Sequence, residues 1–208
     1  MKDTGMRAER GRPTSHAAQA ATTGAEPRAV VLVEGKSDQR ALETLAERRG
    51  RDLAAEGVSV VPIGGAQSVG RYLRHFGPHG LDVTLAGLCD AGEEREVRRG
   101  LERAGLGVDL SRAGMEALGF YVCELDLEDE LVRALGGAAV ESILEAQGEI
   151  RSFRTYQKQE AHRGRALEQQ LRGFMTNRKI RYARLLVDAL DLARVPRPLD
   201  RVLSHIPP

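Results

Sequence analysis

The sequence has no tryptophan, and its aromatic content of 4% leaves little from which to build a platform of stacked bases. Only two cysteines occur, Cys89 and Cys123. Each sits in an apolar run and no CxxC is present, which excludes a thiolate zinc site and predicts two buried thiols in a reducing compartment. No apolar stretch is long enough to span a bilayer, and the first residues lack the apolar centre of a secretory leader. The expectation is therefore a cytoplasmic protein without a membrane partner. The G-x-x-x-x-G-K-[ST] phosphate loop is missing too, so nucleotide binding of the Walker type is excluded. Charge of one sign is not in excess: 31 Lys+Arg against 30 Asp+Glu give a net +1, so only the distribution of charge is informative.

Residues 1–27 show no periodic apolar face and are expected to form a disordered tail. From residue 28 the pattern becomes regular. "AVVLVE", "GVSVVPIGG", "LDVTLAGLCD" and "GFYVCELD" read as strands, the first of them continuous and so buried on both faces. Helical patterns separate them: "SDQRALETLAERRG" with Ser37 as expected N-cap, "AQSVGRYLRHFG", and "EEREVRRGLERAGLG". Alternation of this kind predicts an α/β fold with a four-stranded, mainly parallel sheet. After Asp126 only helical patterns remain: "LEDELVRALG", "AAVESILEAQG", "SFRTYQKQEAH", "ALEQQLRGFM" and "RKIRYARLLVDAL". Pro196 and Pro198 are expected to end the last of these, leaving a short tail. The expected division is a core over residues 28–135 and a helical extension over residues 136–208.

In parallel sheets ligands bind at the carboxyl ends of the strands. Those ends carry Glu34, Gly64-Gly65, Asp90 and Asp126, while Asp38 and Glu128 open the helices that follow. Asp38 and Asp126, each taken alone, read as helix caps before they read as ligands. Glu34 does not, because Glu caps poorly and closes a run of buried valines. Five acids on one rim repel one another, and a hard divalent cation resolves that repulsion through carboxylate oxygens. The Gly-Gly pair suits a loop whose backbone N–H groups approach a phosphate, or simply a turn. Charge is segregated further on. Residues 124–149 hold eight acids and one base, and residues 151–184 hold ten Lys/Arg and two acids. A basic stretch of this kind is suited to a phosphodiester backbone, with Arg154, Arg165 and Arg172 as candidate contacts. Tyr156 and Tyr182 read as helix packing before base stacking.

The succession "LVEGKSD", a "GG" loop and "GLCDAGEE" resembles the TOPRIM domain. "VEGKSD", "DLEDEL" and the late "RKIRYARLL" resemble most closely the TOPRIM half of OLD-family endonucleases. The core resemblance covers residues 29–133. It implies a Rossmann-like TOPRIM core and divalent-metal-dependent cleavage of nucleic acid, DNA in the first instance. It also implies one or two Mg2+ or Mn2+ ions held by Glu34, Asp38, Asp90 and Glu128, with Lys179 as an electrostatic stabiliser. Two departures stand out. The family's DxD motif is reduced to Asp90, followed by Ala91 and Gly92; Glu94, one helical turn on, is the expected substitute, with Glu93 pointing elsewhere. An ATPase domain precedes the TOPRIM half in OLD proteins, whereas a short tail does so here, so any ATPase is expected as a separate polypeptide. The alternative function is a non-catalytic TOPRIM module that binds nucleic acid or a partner. Primase-like nucleotidyl transfer lacks a visible zinc or priming module.

Overall fold

The computed structural model describes residues 26–208; nearly all of the expected tail, residues 1–25, lies outside them. Four strands form one sheet: β1 (Ala29–Val33), β2 (Val58–Pro62), β3 (Thr84–Asp90) and β4 (Phe120–Cys123). Their order is β2-β1-β3-β4 and every pairing is parallel. β1 is buried along its whole length because both faces of the sheet are covered. Ala29, Val31 and Val33 point into one hydrophobic cluster, and Val30 and Leu32 into the other, as the two-residue period of a strand requires.

Three helices follow the first three strands: α1 (Lys36–Arg48), α2 (Val69–Phe76) and α3 (Glu94–Arg103). A short α4 (Arg112–Ala117) precedes β4. α1 covers one face of the sheet, while α2, α3 and α4 contribute to the cluster on the other. From β1 the chain moves outward to β2, then returns past β1 to β3 and continues to β4. The switch point therefore lies between the carboxyl ends of β1 and β3, where open α/β sheets place their ligand site.

The second half is helical, as expected: α5 (Leu127–Leu135), α6 (Gly137–Ala146), α7 (Ile150–Lys158), α8 (Leu167–Met175) and α9 (Lys179–Ala189). These helices bury Phe153, Leu171, Tyr182 and Leu186 in the same cluster as α1 and β1, so one core runs from the sheet into the extension. Arg48 of α1 donates to the carbonyls of Val187 and Leu190, each at 2.7 Å, and thereby caps the C-terminal end of α9. Among the described residues no helix is long and apolar enough to cross a membrane.

Three local expectations are corrected. α1 is N-capped by Gly35, not Ser37; the Asp38 carboxylate in its first turn accepts from the Gly35 N–H at 2.7 Å. β4 stops at Cys123, and Asp126 is the N-cap of α5 rather than the end of the strand. Pro196 and Pro198 do not lead into a tail. They open α10 (Arg197–His205), whose Leu199, Val202 and Leu203 are buried against the sheet. A proline in the first helical turn sacrifices no hydrogen bond, because those N–H groups have no partner within the helix.

Candidate functional site

Glu34 follows the last residue of β1, and Asp90 is the last residue of β3. Parallel pairing of these two strands sets the acids side by side at the switch point. Burial pushes the Asp90 carboxyl up to about 8; the charges of Glu34, Asp38 and Asp126 add to this, as does hydrogen-bonding contact with the Glu34 carboxyl. Burial likewise raises Asp38 to about 7, reinforced by Glu128 and Glu34 and opposed by the Gly35 N–H and Lys179. Carboxylates from β1, α1, β3 and the start of α5 therefore share one desolvated space.

Glu93 joins them. It is the N-cap residue of α3, its carboxyl lies against that of Glu34, and burial is the main cause of its raised pKa. It accepts from the Ala66 N–H at 3.4 Å, directly after the Gly64-Gly65 pair. Both glycines have positive φ, 72° and 104°, which excludes most side chains there and turns the loop toward the rim. Gly64 N–H donates to the Glu34 carbonyl at 3.0 Å. Glu94, the expected substitute acid, is instead held by Arg98 and Arg112. The expectation placed Glu94 toward Asp90 and Glu93 elsewhere, because it carried helical spacing back to Asp90, a strand residue; it is Glu93 that lies against Glu34.

The helical extension supplies cations. Lys179, the first residue of α9, sets Nζ 3.0 Å from Glu128 Oε2. Glu128 is 4% exposed, and its Oε1 is buried without a hydrogen-bond partner. Asp126 accepts from the Asp129 N–H through Oδ1 at 2.8 Å and from Arg172 through Oδ2 at 2.6 Å. A cavity of about 430 Å3 opens beside these groups, lined by Asp126, Glu128, Arg165, Arg172, Thr176 and Lys179.

The other basic candidates are placed differently. Arg154 pairs with Glu141 at 2.7 Å, and Arg178 and Arg181 both pair with Glu149. Five of the ten bases in residues 151–184 thus pair with acids of residues 124–149, while Arg151, Lys158, Arg163 and Arg165 are exposed and in no ion pair among the described residues. Tyr182 is fully buried and donates to Glu149 at 2.8 Å; Tyr156 stacks on His162 with ring centroids 3.8 Å apart. Both tyrosines pack within the protein. Cys89 and Cys123 are buried free thiols.

Among the described residues no three His, Cys, Asp or Glu side chains are placed so as to hold a metal ion as they stand. The acids meet in pairs, Glu34 with Asp90 and Glu34 with Glu93, while Glu128 and Asp126 lean on Lys179 and Arg172. The donor set nonetheless suits a hard divalent cation. It consists of carboxylates only, two of them, Asp38 and Asp90, raised by burial and then by the neighbouring acids, with one buried oxygen unsatisfied.

Comparison with known proteins agrees with this geometry. Residues 27–91 match the family described as Overcoming lysogenization defect protein-like, TOPRIM domain. The C-terminal region of the Xanthomonas campestris pv. campestris OLD protein superposes with a TM-score of 0.67 at 23% identity, covering 86% of this chain and 92% of that one. The C-terminal region of the Burkholderia pseudomallei OLD protein gives 0.67 at 20% identity, covering 86% and 96%. No curated protein sequence matches the chain. Residues 27–91 thus match an OLD-like TOPRIM domain, in a chain with the fold of the C-terminal region of OLD proteins.

Proposed function

We propose that the protein hydrolyses phosphodiester bonds of nucleic acid, DNA in the first instance, in a reaction that depends on Mg2+ or Mn2+. The observation that carries this is the rim itself. Carboxylates from the ends of β1 and β3 and from the first turns of α1 and α5 converge where Lys179 reaches in from α9. Glu34, Asp38, Asp90, Glu93 and Glu128 are the residues that would hold the ion. Bound there, it would supply Lewis acidity toward the phosphoryl oxygen and a lowered pKa for water.

The remaining roles belong to side chains of this chain. Lys179 is partly exposed and ends at the cavity, so its ammonium can exchange Glu128 for a phosphate oxygen and offset charge developing on it. Arg165 lies exposed on the same cavity and Arg172 lines its wall; both suit the flanking backbone. Gly64 and Gly65 leave the rim open beside β2, since no atom lies within 4 Å of a side chain built at either. A cytoplasmic protein working with a separate ATPase is the setting we propose.

A second function is favoured by one observation. Asp90 is followed by Ala91 and Gly92, so the acid that would complete a DxD motif is missing. A module that binds nucleic acid without cutting it fits that change. Incubation of plasmid, single-stranded DNA and RNA with the protein and Mg2+ or Mn2+ separates the two. Metal-dependent cleavage that is lost in Glu34→Gln is expected; metal-independent binding without cleavage of any substrate would establish the second function.

A further inference from the structure

α2 and α3 follow β2 and β3, so both helices start at the acidic rim and run away from it on the face of the sheet opposite α1 and α9. They pack closely: a Cβ at Gly100 of α3 would stand 2.7 Å from Val69 Cγ1 of α2. Their outward surfaces carry Arg71 and Arg74 from α2 and Arg95 and Arg99 from α3, all exposed. α2 contains no acid. The acids of α3 are engaged elsewhere: Glu94 by Arg98 and Arg112, Glu96 by Arg103, and Glu102 by the Leu110 N–H. Among the described residues none of the four outward arginines has a carboxylate within ion-pairing distance. Arg71 is nevertheless positioned, lying 4.9 Å over the Tyr72 ring and donating to its hydroxyl at 3.2 Å.

The basic segment that sequence segregation singles out is more heavily committed. Six of its ten bases, Arg154, Arg172, Arg178, Lys179, Arg181 and Arg184, are in ion pairs, and the other four, Arg151, Lys158, Arg163 and Arg165, are exposed.

We infer that the α2–α3 surface is a second backbone-binding face, which takes the phosphates of a polynucleotide crossing the acidic rim toward the side of the sheet away from the C-terminal helices. The inference rests on the nucleic-acid function proposed above and adds where the strand runs. Position and composition select this ligand. Both helices originate at the carboxylates, so a backbone leaving the rim over Gly64-Gly65 meets them first. The large apolar side chains exposed among the described residues are Val108, Leu125, Ile180 and Leu192, none of them on α2 or α3. A lipid surface or a protein partner draws on such groups for much of its binding energy, whereas phosphate neutralisation does not.

The test is fluorescence anisotropy of labelled duplex and single strand of about 20 nucleotides, in EDTA, between about 50 and 200 mM salt. The variant is Arg71→Ala, Arg74→Ala, Arg95→Ala and Arg99→Ala combined. It is expected to bind at least about tenfold more weakly, with the slope of log K on log salt smaller by about three to four. The matching fourfold Arg→Lys variant is expected to keep the slope, which excludes loss of fold as the cause. Wild-type affinity and slope in the Ala variant would overturn the inference. So would loss of binding to phosphatidylserine vesicles with duplex binding intact, since the face would then serve a membrane. Because no metal is present, absence of cleavage leaves this result standing, and a failure here leaves metal-dependent cleavage standing.

Discussion

Lys179 Nζ lies 3.0 Å from Glu128 Oε2, while Glu128 Oε1 is buried with no partner. The ammonium thus occupies half of a carboxylate whose other half is unsatisfied, at the meeting of the sheet and the helical extension. A buried carboxylate stripped of its counter-charge is strongly destabilising. Lys179→Met is therefore expected to lower the stability of the metal-free protein by about 1–3 kcal/mol, less than for a fully buried pair because the lysine is partly exposed. Glu128→Gln in the same background should recover most of the loss. Saturating Mn2+ should raise the melting temperature of Lys179→Met more than that of the wild type. Urea and thermal melts of the three proteins decide; equal stability of Lys179→Met and wild type would show that the pair carries no load.

Glu34 has no capping role and touches the carboxyls of Asp90 and Glu93. Its replacement by glutamine keeps the shape and removes one negative charge from a crowded set. Glu34→Gln is expected to lose metal-dependent cleavage by at least about a hundredfold, with unchanged or slightly higher stability without metal. Calorimetric Mn2+ binding as tight as in the wild type would remove Glu34 from the ion's ligands.

Much of this site was legible because its strongest signals are local. A carboxylate closing an apolar strand, as at Glu34 and Asp90, has no packing explanation, and parallel topology alone brings such strand ends to one rim. Pairings between distant helices were not legible. The acidic and basic segments of the second half look like separate surfaces in the sequence, yet Arg154 meets Glu141 and Arg172 meets Asp126. α10 was missed because Pro196 and Pro198 signal a helix start as readily as a stop, and only the buried Leu199, Val202 and Leu203 distinguish the two.

Glu149 gathers three donors from α9 and the turn before it: Arg178 at 2.7 Å, Arg181 at 2.8 Å and the Tyr182 hydroxyl at 2.8 Å. Tyr182 is fully buried, so loss of its acceptor strands a hydroxyl in the core. Glu149→Ala is expected to cost about 2–3 kcal/mol and Tyr182→Phe about 1 kcal/mol, with the double variant little worse than Glu149→Ala. Burial, then Glu149, pushes the Tyr182 phenol up to about 12 from 10. The folded protein therefore holds that proton more tightly than the unfolded chain. This contribution is complete below pH 10 and is lost as pH rises through 12. Urea melts across that range should show a smaller alkaline decline in Tyr182→Phe than in wild type.

Asp90 lacks the second acid that would complete a DxD motif. Glu93 stands against Glu34, whereas Glu94 is taken up by Arg98 and Arg112. Glu93→Gln should therefore weaken Mn2+ binding, and Glu94→Gln should leave binding unchanged while costing stability through the lost contacts of Arg112. Gly92 offers a complementary experiment. Its φ lies outside the left-handed region, and a side chain there meets no atom within 4 Å, so Gly92→Asp fits without displacing anything. The substitution places a second carboxylate two residues beyond Asp90, and hard-cation affinity rises with ligand charge. Titration calorimetry with Mn2+ on the three variants, beside cleavage assays on the same preparations, separates the outcomes. Weaker binding in Glu93→Gln alone, with tighter binding and faster cleavage in Gly92→Asp, is expected if Glu93 already serves in place of the missing acid. Unchanged binding in Glu93→Gln, together with cleavage that arises only in Gly92→Asp, would make the natural rim a binding surface rather than a nuclease centre.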